Sequence, residues 1–280
     1  MINKRADFFS IAIALTILLP LAGCNKKDVK YNYQQKNQKV IGIIPSYDLD
    51  MKQDPSVRKH FNYHMLRDRY IDSFENVCKD TTFVILPLLE KDREKIFQLV
   101  DGIIISGGDD INGKYFNQKT SDKVTSVEPD RRTDFQLAAI KHSMKNGKPL
   151  LGICNGMQAI NIVRGGDLIQ DIPSMVKNTE KHKGDGALKT THGAAISKNT
   201  WLYNVVGVES MTVNSNHHQA VGKIGKNIAV SAKASDGIVE AIECIDCKKP
   251  VIGVQWHPEY LMTKNDKKII KAFCDEVNKD

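Results

Sequence analysis

Short apolar runs closed by breakers recur along the first half of the chain. Residues 40–44, 83–86, 102–105 and 149–153 are dominated by Val, Ile, Leu and Phe. Two of them stop at Pro45 and Pro87, and a third runs into Ser106-Gly107-Gly108-Asp109. Runs this short, without alternation, predict strands buried on both faces. Between them the period changes. Tyr70, Phe74 and Val77 share one face of a predicted helix, and so do Leu137, Ile140 and Met144, whose helix ends at Asn146-Gly147. A shorter helix is predicted over residues 95–100. Strands alternating with helices predict a parallel sheet with crossover helices.

Past Gly165-Gly166 the pattern differs. Residues 168–196 read as polar and irregular, and short strands follow at 210–213, 228–231, 238–243 and 251–256. Asp236-Gly237 and the 244–250 stretch read as turns between them, which makes part of this half antiparallel. Ile270, Phe273 and Val277 mark a last helix. The expected fold is therefore α/β: a mostly parallel sheet flanked by helices, with an added antiparallel strand region in the C-terminal half. The polar loop at 110–129 is long enough to suggest a functional or mobile role.

The first residues do not fit this scheme. Lys4 and Arg5 precede an apolar run, residues 8–21, that is short for a membrane span. It ends at Leu21-Ala22-Gly23-Cys24, small residues at the cleavage position of a secretory signal peptide. Those four residues also resemble the bacterial lipobox, which implies lipidation of Cys24 and a protein held at the membrane of the cell envelope, facing outside the cytoplasm. Residues 1–23 are then the signal, 24–38 a polar, lysine-rich tether, and 39–280 one domain.

Composition narrows the partners. With 41% hydrophobic and 26% charged residues the chain is ordinary globular material. The net charge is +7, but lysine is spread evenly and no basic block is interleaved with aromatics, so a solvated surface is expected and a nucleic-acid partner is not. Oligomeric state stays open, a homodimer included. Of six cysteines, Cys244-Ile-Asp-Cys247 is a lone C-x-x-C without a second pair, and no zinc site is expected there. Two ordinary turn cysteines are expected, with a disulfide as the alternative in an oxidising compartment.

Candidate chemistry lies at the ends of predicted strands. Gly152-Ile-Cys154-Asn-Gly156-Met-Gln158 sits where the 149–153 strand meets a predicted helix over 157–163. Glycines on both sides let the chain bend sharply and present the thiol, and the helix N-terminus behind it favours thiolate. A second strand end runs into His257-Pro258-Glu259. A histidine there can reach the cysteine, and a carboxylate two residues on can fix its tautomer, which is the arrangement of nucleophile, base and orienter. Ligands of parallel sheets bind beyond the carboxyl ends of strands, where the Ser106–Asp109 turn also lies.

Taken together, G-I-C-N-G-M-Q and G-V-Q-W-H-P-E resemble the class I glutamine amidotransferase-like superfamily, with a flavodoxin-like sheet. S-G-G-D-D-I, the 165–172 run, N-S-N-H-H-Q at 214–219 and D-G-I-V-E-A-I-E at 236–243 resemble its gamma-glutamyl-gamma-aminobutyrate hydrolase branch. The resemblance implies Cys154 as nucleophile, His257 as base and then acid, and Glu259 as orienter. It implies backbone N–H groups of Gly108 and Asn155 as oxyanion donors, and Gln158, His218 and Gln219 on the substrate side, the last two with hydrogen-bonded packing as their alternative. It implies a small gamma-glutamyl amide as substrate and no metal or organic cofactor. Relatives commonly carry arginine where this chain has Asn155, and Arg-Asp-x-Phe-Glu where it has Arg132-Thr133-Asp134-Phe135-Gln136. Competing readings are a catalytically silent binding lipoprotein of the same fold and a glutaminase partner of a separate synthetase.

Overall fold

The computed structural model describes residues 38–49, 62–184, 189–261 and 263–279. The expected signal, Cys24 and the tether as far as Asn37 lie outside the described residues. Residues Asn37–Asp280 form one unit. Among the described residues no helix is long and apolar enough to cross a membrane.

A sheet of nine strands organises this unit: β1 (Lys39–Ile44), β2 (Thr81–Ile85), β3 (Gly102–Ile105), β4 (Leu150–Ile153), β5 (Thr191–Ile196), β6 (Ser210–Asn214), β7 (Ile228–Ala234), β8 (Val239–Cys244) and β9 (Val251–Val254). Their order across the sheet is β2-β1-β3-β4-β9-β8-β7-β5-β6. The strands from β2 to β9 in that order pair in parallel. From β9 onward every pairing is antiparallel. The mostly parallel core and the antiparallel C-terminal extension are thus both present.

Helices cover both faces. Helices α1 (Asp68–Val77), α5 (Trp201–Val206) and α6 (Lys264–Asn278) pack on one side; α2 (Arg93–Gln98), α3 (Asp130–Asn146) and α4 (Asn155–Val163) pack on the other. The pleat explains the division. Ile104, Leu151 and Ile153 turn toward the first core and Ile103, Ile105 and Leu150 toward the second, because successive side chains of a strand point to opposite faces. With helices on both sides these runs must be apolar throughout, as the sequence has them.

Two expectations are corrected. The 168–196 stretch is not irregular throughout: it carries β5, a short strand at Leu168–Ile169 and a helical turn at Ile172–Met175. In β5 the inward positions are His192, Ala194 and Ile196, so its alternation includes a polar and a small residue and reads weakly as a strand. Cys244 and Cys247 are not free turn cysteines but form a disulfide across the bend between β8 and β9, with Cα atoms 5.7 Å apart. Cys78, just past α1, and Cys274, in α6, form another over 196 residues of sequence. The bend brings the first pair together, and the packing of α1 against α6 brings the second.

A bridge closing so long a loop stabilises by roughly 5 kcal/mol in the chain-entropy account and by about 2–5 kcal/mol in practice. Replacing Cys274 by Ala is expected to lower the melting temperature of the oxidised protein by several degrees. Reductant should shift the unaltered protein by more than it shifts the variant. Equal melting temperatures under oxidising conditions would contradict the bridge.

Candidate active site

The cysteine corner forms where β4 gives way to α4. Cys154 takes φ 52° and ψ −104°, a conformation a side-chain-bearing residue holds only under constraint. The constraint is contact between backbones. A Cβ on Gly152 would lie 2.6 Å from the carbonyl carbon and oxygen of Gly156, and one on Gly156 would lie 2.9 Å from Ile105. Strand and helix therefore meet at a distance only glycine permits. Cys154 is 6% exposed and is the sole free cysteine among the described residues.

His257 follows β9, the parallel neighbour of β4. Its Nδ1 lies 2.8 Å from Glu259 Oε1, both side chains buried. Asn214, at the end of β6, clamps the histidine's main chain: its Nδ2 donates to the His257 carbonyl at 2.8 Å and its Oδ1 accepts from the His257 N–H at 2.9 Å. Burial opposes a charge on the imidazole. The Glu259 carboxylate and the Cys154 sulfur outweigh burial and hold its pKa well above the ordinary value. The arrangement thus favours a protonated imidazole beside the Cys154 sulfur.

The glycine turn after β3 completes the centre. Ser106 N–H donates to the Ile44 carbonyl, Gly107 N–H to the Tyr70 hydroxyl at 2.8 Å, and Asp109 N–H to Glu128 Oε1. Gly108 N–H is the turn's one donor without an acceptor among the described residues. Asn155, the first residue of α4, has no carbonyl one turn back for its N–H. Its side chain is occupied instead, accepting from Arg132 and donating to the Asp109 carbonyl. Arg132 is fully buried and also donates to the Ser106 carbonyl at 2.7 Å. Its neighbour Glu128 has its pKa raised by burial, against the pull of Arg132.

Cys154, Asn155, His257 and the Ser106–Asp109 turn line a cavity of about 330 Å³ that also takes in Gln158, His218 and Gln219. The three differ in what they leave free. Gln158 donates to the Gln219 carbonyl and to Gln255 Oε1. The Gln219 amide is held by the backbone of Ile111 in both directions, the packing role weighed from sequence. His218 bridges two carboxylates, with Nε2 2.6 Å from Asp110 and Nδ1 3.2 Å from Asp171. The Asp110 hydrogen bond raises its pKa against the opposing effect of burial. The 110–129 loop supplies cavity wall at Asp110, Thr125 and Ser126.

Sequence reading missed several contributors. Tyr70 reads as one apolar helix position, yet its hydroxyl holds Gly107, and burial and then the Glu259 carboxylate raise its pKa far above normal. Gln255 reads as strand, yet its Nε2 lies 3.5 Å from Cys154 Sγ. Asn214 and Arg132 act through backbone groups distant in sequence. A polar residue inside a buried run was the available signal for Gln255. Tyr70 offered none.

The chain belongs to the peptidase C26 family, whose sequence profile matches residues 39–259, within the class I glutamine amidotransferase-like group. It is 33% identical to a glutamine amidotransferase-like protein of Rickettsia prowazekii, over 85% of this chain and 97% of that one. It is 25% identical to the gamma-glutamyl-gamma-aminobutyrate hydrolase of Escherichia coli O157:H7, over 60% of this chain and 67% of the other. The glutaminase domain of Trypanosoma brucei CTPS, solved with bound acivicin, shares the fold with a TM-score of 0.57 at 17% identity, over 86% of this chain and 95% of that one.

The His257–Glu259 pair has a signed consequence. The folded pKa of His257 is raised above an unfolded value of about 6.5. The pair therefore contributes stability that is full below about pH 6.5 and is lost as pH rises through the folded pKa. Glu259→Gln should move the His257 titration, followed by NMR of the imidazole, toward lower pH. A titration unmoved by that change would sink the assignment of Glu259 as the group holding the charge.

Proposed function

We propose that the chain hydrolyses gamma-glutamyl amide bonds through a thioester on Cys154. The observation that carries this reading is the Cys154 thiol on a positive-φ corner beside the buried His257–Glu259 pair. The Cys154 thiolate attacks the gamma-carbonyl carbon, and the developing oxyanion turns to the N–H groups of Gly108 and Asn155. Two such donors lower the barrier by about 3 kcal/mol each. His257 gives its proton to the departing amine as the C–N bond breaks, while Glu259 fixes the ring. Water then attacks the thioester, His257 takes its proton, and glutamate leaves as the thiolate returns.

The cavity wall supports a charged, zwitterionic glutamyl end. Arg67 and Lys183 supply cations, Asp109 and Asp110 supply anions, and all four line the same space. The relatives' names support gamma-linked amides as the substrate class. The test is glutamate release from a panel of gamma-glutamyl amides and peptides, glutamine included, by protein lacking residues 1–23. Cys154→Ala should cut release at least about 10³-fold, as nucleophile removal does elsewhere. Release that persists in the variant would refute the thioester route.

The reading includes an envelope location, with Cys24 carrying the lipid. It is supported by the Leu21-Ala22-Gly23-Cys24 sequence after an apolar run and by two disulfides, which persist in oxidising compartments. Cys24→Ala is expected to move the protein from the membrane to the soluble fraction, or to leave it unprocessed, in fractionated cells. An unchanged distribution and mobility would remove the lipid from the account.

A further inference from the structure

Two motifs have no role in the reaction as described: the first histidine of Asn214–Gln219 and the glutamate inside 236–243. They meet at the cavity wall, to which His217 itself contributes. His182, His192, His217 and Glu240 are 3%, 8%, 5% and 0% exposed. They come from the segment before β5, from β5, from the loop after β6, and from β8. Each offers one ligand atom, and the four atoms lie within 4.8 Å of one another. His182 Nδ1 and His192 Nε2 each lie 3.4 Å from Glu240 Oε1, and His217 Nε2 lies 3.8 Å from it.

None of those three nitrogens, and neither oxygen of Glu240, makes a hydrogen bond among the described residues. Buried polar atoms are rarely left so, and five in one place call for an explanation. The opposite ring nitrogens show which way the lone pairs face. His182 Nε2 is 2.9 Å from Asp236 Oδ2, His217 Nδ1 is 2.9 Å from the Gln219 carbonyl, and His192 Nδ1 is 3.2 Å from the Gly193 carbonyl. Each partner can only accept, so each of those nitrogens carries the proton. In the neutral rings three imidazole lone pairs therefore converge on a carboxylate, and one bound cation satisfies all four groups at once.

We propose that His182, His192, His217 and Glu240 hold one divalent transition-metal ion, zinc by preference, as a closed structural site. Four ligands at about 2.0–2.1 Å from zinc, at tetrahedral angles, stand about 3.3–3.4 Å apart, which is the spacing of two of the three nitrogens from Glu240. Three imidazoles and one carboxylate suit zinc among the first-row metals. Charge balances, since Glu240 and Asp236 together offset two positive charges. Asp236 is itself fixed by donors from Thr179, Glu180 and Ile238, the outer carboxylate–histidine partner that orients metal ligands. The ion would tie the Asn214–Gln219 loop to β5 and β8. That loop clamps His257 through Asn214 and carries His218 and Gln219, so the metal acts by positioning and touches no reacting atom. This inference does not depend on the hydrolase reading.

The test uses full-length protein without a histidine tag, carrying Cys154→Ala so that no free thiol competes among the described residues. Metal content after purification and dialysis with Zn(II) should be about one ion per chain, as a single closed site requires. Co(II) in its place should show the intense visible bands of tetrahedral nitrogen and oxygen ligation. Glu240→Gln should lose the ion. Asp236→Asn, which touches no metal, should weaken affinity about 10–100-fold. Because ligand variants can misfold, the Co(II) spectrum of the parent decides alone. Absence of metal after reconstitution, or a spectrum of six-coordinate aqueous cobalt, overturns the proposal and leaves a proton-sharing cluster. Retention of the ion by a folded Glu240→Gln protein overturns it as well.

Discussion

The site depends on one steric fact: β4 and α4 approach so closely that neither Gly152 nor Gly156 has room for a Cβ. That contact turns the chain at Cys154 into a backbone conformation it would not otherwise choose. It aims the sulfur off the end of the sheet and sets the Asn155 N–H beside it. The same principle extends one strand over. A Cβ on Gly107 would lie 2.9 Å from His257 Cε1, and one on Gly108 would run into Glu128. Cys154 and His257 are thus closely bordered by backbone, the part of a protein that rearranges least.

Around that rigid centre two buried cationic side chains each face a carboxylate. Arg132 lies 3.9 Å from Glu128, and His257 is hydrogen-bonded to Glu259. His218 stands between Asp110 and Asp171. An isolated buried charge would cost several kcal/mol, and an opposite charge facing it offsets part of that cost. Asn155 fits this scheme. Directly after Cys154 this chain has an amide that accepts from Arg132 and donates to the glycine turn. One guanidinium thereby serves both the turn and the residue after Cys154.

What could be read in the sequence was what is contiguous in it. The cysteine corner, the His-Pro-Glu stretch and the glycine turn each declare themselves within seven residues or fewer, because each is built by local backbone geometry. The parallel strands were legible too, since burial on both faces leaves an unbroken apolar run. β5 was not, because one of its inward residues is His192 and another is alanine. Tyr70, Asn214 and Gln255 act across distances in sequence that no local pattern encodes. The Cys78–Cys274 pairing was hidden for a related reason: nothing in the primary structure says that α1 will pack on α6.

That last pairing changes what the chain is as an object. With Cys78 bonded to Cys274, the 195 residues between them become a covalent ring. Eight of the nine sheet strands and all three members of the Cys154, His257 and Glu259 set lie on it. A single backbone cut anywhere on the ring leaves both pieces joined and the sheet still threaded. Where proteases are abundant and replacement is slow, a nicked molecule of this kind keeps its parts.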